Sequence, residues 1–400
     1  MDEMVRPHIC LIYGTRPEAI KLAPVYRELK QRAGVFDTTV VVTAQHRQLL
    51  DQMLTVFGIK PDVDLDIMRE GQTLSQVTCR ALEALQTTLH RLAPDMVLVQ
   101  GDTTTVFTGA LAAFYEQIAV GHVEAGLRSE NKYSPFPEEI NRRMTGVLAD
   151  LHFAPTPGAR ERLLAENTPG EQVFVTGNTV IDALQMMNAG CAPMPDATAR
   201  LVEQVSGRMI LVTVHRRENL GVAFTQICTA LQRIVHDFPD VSVIWPMHPN
   251  PIVRRAAEEM LGDHPQILLC EPLDYFGFVP LMAAADLIIT DSGGIQEEAS
   301  ALGTPVLVTR DTTERPEGIA AGVARLVGVE TDTIVTAATE LLTNPSAYAR
   351  MSEPTSPYGD GQAARRICDV LEFHFGLSER RPEDFSTTDH DDATIAGRPQ

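Results

Sequence analysis

The sequence predicts an α/β protein built from two consecutive parallel-sheet domains. Three observations carry that prediction. Short β-branched runs alternate with longer helix-period segments from end to end. The 400-residue length exceeds what one hydrophobic core usually serves. A small, proline-rich stretch at 189–195 (AGCAPMP) reads as a linker or loop, and the boundary is set near residue 180.

The elements follow from these runs in order. In the first half, apolar β-branched segments predict strands at 8–13, 39–43, 96–100, 118–123, 151–154 and 173–176. Helix-period segments lie between them, including 17–32, 74–92, 104–115 and 137–148. A second strand series is predicted at 209–214, 241–246, 267–270, 287–290, 306–308 and 324–327. Residues 377–400 hold few apolar side chains, six acids and three arginines, and read as a disordered tail.

Composition excludes several classes. With 33 Lys+Arg against 53 Asp+Glu, the formal net charge is −20, a poor match to nucleic acid or an anionic membrane. Only four of the basic residues are lysines, so Lys21 inside a motif draws notice. The six cysteines are scattered singly, without metal-ligand spacing, which predicts reduced thiols and no zinc site. The charged start has no apolar core of a signal peptide, and the longest apolar runs are strand-length. A soluble cytoplasmic protein is therefore expected.

In open α/β sheets ligands sit beyond the carboxyl ends of the strands, so strand exits are where chemistry is sought. The first exit is Gly14-Thr15-Arg16-Pro17-Glu18, with Lys21 about one turn further on. Glycine permits the tight turn and Pro17 pre-sets the first helical φ. Arg16 and Lys21 beside a helix N-terminus suit an anion, while an ordinary capped turn accounts for the same residues. Asp291-Ser292-Gly293-Gly294 follows an apolar strand and opens a helix, so its amides can cradle a phosphate. Glu297 and Glu298, a turn later, can accept from ribose hydroxyls; a well-capped helix is the plainer reading. His215, in His215-Arg216-Arg217-Glu218-Asn219, ends a strand and either donates to a phosphate or is structural.

Three carboxylates stand at exits of neighbouring elements: Asp102 in QGDTTT, Glu124 in GHVEAGLRS and Glu138 in SPFPEE. Together they can supply a general base and a general acid. Each also has a bland account. Asp102 can N-cap the following helix, and Glu138 with Arg142, or Glu139 with Arg143, has the i,i+4 spacing of a surface ion pair. A nucleotide held by both halves, its sugar facing the acids, accounts for all of these residues jointly. Walker A and G-x-G-x-x-G patterns are absent, against a P-loop NTPase and a nicotinamide enzyme.

Taken together, the motifs resemble the non-hydrolysing UDP-N-acetylglucosamine 2-epimerases. GTRPEAIK, TAQHRQLLDQ, QGDTTT, GHVEAGLRS, SPFPEEINRR, TGNTVIDAL, HRREN, TDSGGIQEE, RDTTERPEG and SPYGDGQAA stand in that family's order, from about residue 8 to about residue 375. The resemblance implies a GT-B type architecture, two Rossmann-like domains facing a central cleft that holds UDP. The domains would be 1–178, completed by a C-terminal helix at about 359–376, and 179–358. It implies C2 epimerisation through elimination of UDP, a bound glycal and re-addition of UDP, with no NAD and no metal. Asp102, Glu124 and Glu138 would do the acid/base work, aided by Arg16, Lys21 and His215, with Arg128 in support. Ser292, Gly293, Gly294, Glu298 and Arg315 would join Arg16, Lys21 and His215 in binding UDP. Gln45, His46 and His248 would belong to a second, activating site for the substrate. A homodimer is also implied. The alternatives are a GT-B glycosyltransferase with a UDP-sugar donor, a hydrolysing 2-epimerase, and a UDP-sugar-binding regulatory protein.

Overall fold

A computed structural model describes residues 6–45, 47–189, 194–214, 221–247, 250–353 and 357–386. The described residues divide into two compact units: one within 1–50, 60–182 and 357–400, the other within 51–59 and 183–356.

The first unit holds a seven-stranded parallel sheet: β1 (His8–Tyr13), β2 (Asp37–Val42), β3 (Val63–Asp64), β4 (Met96–Gln100), β5 (Ala119–Val123), β6 (Leu151–Ala154) and β7 (Val173–Val175). Their order is β3-β2-β1-β4-β5-β6-β7. The second unit holds six parallel strands, β8 (Arg208–Thr213), β9 (Val241–Pro246), β10 (Ile267–Cys270), β11 (Leu287–Thr290), β12 (Val306–Val308) and β13 (Ala324–Leu326), in the order β10-β9-β8-β11-β12-β13. In both sheets strand order reverses at one place, beside the strand that comes first in sequence. The β1/β4 and β8/β11 pairs therefore flank the switch points, where a crevice opens at the strand ends.

Helices cover both faces of these sheets, so the strands are apolar on both sides. Ile9, Leu11 and Ile12 on β1, and Ile210, Leu211 and Val212 on β8, are all fully buried. Each such side chain contributes about 1.5–3 kcal/mol by leaving water. The two-residue β3 was not predicted: its D-V-D-L-D context has only two apolar residues among three acids, and only two register pairs hold it to β2.

The reading of 377–400 as a disordered tail is corrected for residues 377–386. β7 is an edge strand with unpaired backbone groups, and this segment satisfies them. Asp384 Oδ1 accepts from Val175 N (2.8 Å), Phe385 N donates to Val175 O (2.6 Å), and Arg381 donates to Val173 O (3.1 Å). Phe385 is buried, and the Arg381 guanidinium lies 4.1 Å from the Phe174 ring centre. The Ala363–His374 helix packs in the same unit, with Arg32 paired to Asp369 (2.7 Å) and Glu372 (2.8 Å). Among the described residues no helix is long and apolar enough to cross a membrane.

Candidate active site

The β1 exit is shaped by close contact. A Cβ on Gly14 would lie 2.0 Å from Thr43 Oγ1, so no larger residue fits. Thr15 then occupies the N-cap of the Arg16–Gln31 helix, and Pro17 stands in its first turn. Glu18 reaches back from the same turn, its Oε2 accepting from Gly14 N (2.6 Å) and Thr15 N (2.9 Å). The Thr103 hydroxyl donates to its other oxygen, tying the β1 and β4 exits together. Burial pushes the Glu18 carboxyl up, and these hydrogen bonds oppose the shift. Arg16 is half-buried at the first helical position.

Lys21 is buried a turn further along, with Nζ 2.5 Å from Glu124 Oε1. Glu124 follows β5 directly and takes a positive φ of 65°, uncommon outside glycine. Its carboxylate also accepts from Asn178 Nδ2 (3.1 Å) and from the Gln100 side chain. Neighbouring His122 sits 2.8 Å (Nε2) from Gly101 O, so that nitrogen carries the proton. Burial drives the His122 pKa down to about 3 and that of His152, opposite it on β6, to about 4, so both rings are neutral.

Because Gln100 on β4 is in register with Val123 on β5, Asp102 and Glu124 leave the ends of adjacent strands. Asp102 does not cap the Thr104–Tyr115 helix; Thr103 does, its hydroxyl accepting from Val106 N. Asp102 is instead gripped from the Glu138–Leu148 helix. Asn141 Nδ2 donates to its carbonyl (3.0 Å), and Arg142 donates to its carboxylate. The local spacing had suggested a surface Glu138–Arg142 pair, but Arg142 is buried and turned to Asp102. Glu139 does pair with Arg143 (3.0 Å), as a fully buried anchor. Glu138 is half-buried at the start of this helix, one turn before Arg142. Arg128, expected to support the acids, is held in a bidentate pair by Glu166 (2.9 and 2.6 Å). Gln45 lies beside this exit, its Oε1 accepting from Thr105 (3.0 Å); His46 is outside the described residues.

In the second unit, Ser292 stands at the N-cap of the Gly293–Leu302 helix, but its hydroxyl makes no capping bond. A Cβ on Gly293 would lie 2.4 Å from the Arg315 guanidinium, whereas one on Gly294 would meet nothing within 4 Å. Arg315 is buried between Glu297 (2.7 Å) and Glu314 (2.8 Å), and Glu314 also takes Arg310 (2.7 Å). Glu297, read as a ribose acceptor, is thus occupied by Arg315. Glu298 is buried near Tyr275, whose phenol is pushed up by burial and by that carboxylate. His215 and His248 lie outside the described residues.

Sequence reasoning passed over Glu18, Gln100, Arg142 and Asn178. Only Glu18 carried a local signal, the T-x-x-E spacing of a capping box. Two acids of opposite attachment at adjacent strand ends, each fixed by a cation, can remove and return protons.

Comparison with known proteins identifies the group. The family model for UDP-N-acetylglucosamine 2-epimerase matches residues 27–372. The chain belongs to the UDP-N-acetylglucosamine 2-epimerase family. It is 52% identical over 384 residues to the UDP-N-acetylglucosamine 2-epimerase of Bacillus subtilis, covering 96% of this chain and all of that one. It is similar to the S. aureus MnaA–UDP structure (46% identity, TM-score 0.89, 95% of this chain and 100% of that one). It is also similar to the Neisseria meningitidis UDP-GlcNAc 2-epimerase bound to UDP-GlcNAc (46% identity, TM-score 0.86, 91% and 99%). Membership in this epimerase family supports UDP-N-acetylglucosamine 2-epimerase activity, and the two parallel-sheet domains agree with its fold.

Proposed function

We propose that the chain interconverts UDP-N-acetylglucosamine and UDP-N-acetylmannosamine without hydrolysis. No carbonyl acidifies the C2–H bond, so direct proton exchange is disfavoured and elimination supplies the route. A carboxylate takes the C2 proton, the C–H electrons form the C1=C2 bond, and the C1–O electron pair leaves with UDP. The bound glycal is protonated at C2 from the opposite face, and UDP re-adds at C1. Two faces need two protic groups, and the acids Asp102, Glu124 and Glu138 provide them. Arg16, Lys21 and His215 stabilise the departing diphosphate. Ser292, Gly293, Gly294 and Arg315 bind UDP, and Glu298 takes the ribose. The observation that carries this reading is the pairing of Asp102 and Glu124 at adjacent strand ends, each held by its own cation.

The reaction as written is redox-neutral, and it runs without NAD or metal. Gln45, His46 and His248 form a second site at which the substrate activates. The enzyme works in the cytoplasm as a homodimer, supplying an envelope-polysaccharide precursor. The dimer is supported by apolar side chains exposed on the first unit, with Phe114 at 57%, Tyr115 at 53% and Val147 at 86%. Light scattering that gives a monomer mass would remove that part of the reading.

The central test incubates the protein with UDP-N-acetylglucosamine in D₂O, with EDTA and without NAD, followed by NMR. Deuterium at C2 together with UDP-N-acetylmannosamine is expected. Retained protium at C2 would sink the proposal, and free sugar would assign the chain to the hydrolysing relatives.

A further inference from the structure

Resting on that reading, we propose that Arg142 is a positioning residue for C2 proton transfer, and that Glu139 holds it in place. The side chains form an outward series. Glu139 is fully buried, Arg142 is 5% exposed, and Asp102 is 27% exposed. Glu139 is itself fixed from three sides: Ser129 N (3.0 Å), Arg143 Nε (3.0 Å) and Arg142 Nη1 (3.3 Å). The other arm of the Arg142 fork donates to Asp102 Oδ2. Asn141, the preceding residue, holds the Asp102 carbonyl, so one helical turn fixes both ends of the residue.

The consequence concerns the second carboxylate oxygen. Among the described residues, Oδ2 is the only carboxylate oxygen of Asp102 with a side-chain hydrogen bond. Oδ1 is left as the proton-accepting atom, and the chain Glu139–Arg142–Oδ2 sets its direction. Only a planar fork reaches both carboxylates at once. A lysine ammonium supplies one compact charge and cannot reproduce both bonds. The arrangement therefore acts on the chemical step, since the series ends on the Asp102 carboxylate.

The experiment compares wild type, Arg142→Ala, Arg142→Lys and Glu139→Gln for C2 deuterium uptake and epimerisation, with UDP affinity and melting curves in parallel. Arg142→Ala is expected to lose about 10²-fold in kcat, the effect of misplacing a reacting group by about an ångström. KM and UDP affinity stay near wild type. Arg142→Lys and Glu139→Gln fall between, and added guanidinium restores part of the rate to Arg142→Ala. A folded Arg142→Ala with wild-type kcat, or a loss confined to KM, overturns the inference. If Arg142→Ala does not fold, the same criteria apply to Arg142→Lys and Glu139→Gln, and wild-type kcat in both overturns it. Absence of exchange in wild type would instead refute the proposed function itself.

Discussion

The exit of β4 in the first unit and the exit of β11 in the second combine carboxylates with cations, but at different depths. At β4, Asp102 is gripped by Arg142 on one oxygen and keeps 27% of its side chain in solvent. At β11, Glu297 and Glu314 are buried, as are Arg315 and Arg310, and every one of those charges is matched inside the cluster. The ingredients are alike, and at these two exits the depth differs. Asp102, with one oxygen outside its ion pair and part of its side chain in solvent, can exchange a proton as it stands; Glu297 and Glu314, matched by buried guanidinium groups, hold a loop.

The sharpest way to break this contrast is to neutralise one acid of each kind. Asp102→Asn keeps the shape and removes the base, so C2 exchange should fall by about 10³-fold, within the usual range for a general base. UDP binding should survive. Glu297→Gln should do the reverse, destabilising the fold by about 3–5 kcal/mol because Arg315 loses a buried partner. Thermal melts and C2 exchange on both variants decide the matter. If Glu297→Gln abolishes exchange without lowering the melting point, depth does not sort chemistry from scaffold.

Asp182 sharpens the comparison through a buried acid held by neutral groups. Its oxygens accept from Ala363 N (3.2 Å) and Ala364 N (2.8 Å) at the start of the Ala363–His374 helix. Burial pushes its pKa from 3.8 up to about 7, with Asp360 adding to the rise. Between those values the folded chain keeps a proton that the unfolded chain has released. Its contribution to stability is therefore complete at low pH and declines as pH rises from about 4 through about 7. Melting points across that window should fall more steeply for wild type than for Asp182→Asn. Parallel profiles would mean that Asp182 stays ionised in the fold.

Much of the architecture was legible because parallel strands buried on both faces leave continuous apolar runs, as at residues 8–13 and 287–290. Asp102, Glu124 and the Ser292-Gly293-Gly294 turn were legible for a related reason: each begins within two residues of the end of such a run. Their partners were not. Arg142 has a glutamate four residues before it on its own helix, yet it pairs with Asp102, 40 residues away. Local spacing records neighbours on one helix and is silent about which buried acid lies opposite. The 377–386 segment hid for the same reason, since a single phenylalanine among charges reveals nothing of the strand edge it covers.

The smallest expected effects test the second unit alone, at two adjacent glycines. Gly293 and Gly294 both open the Gly293–Leu302 helix, and sequence treats them as one phosphate-cradling pair. Their surroundings differ. A methyl group on Gly293 would sit 2.4 Å from Arg315 Nη1 and 2.9 Å from Glu314 Oε1, so the buried ion cluster must shift. That strain should cost about 1–3 kcal/mol, read as a lower melting point. A methyl on Gly294 meets no atom within 4 Å, so Gly294→Ala should leave the stability within about 0.5 kcal/mol of wild type. Its effect should appear only in UDP affinity, measured by calorimetry, because the added methyl would occupy space that the ligand needs. Equal melting points for the two variants would show that the Arg315 cluster yields freely. The second unit would then be no more rigid at this exit than the first.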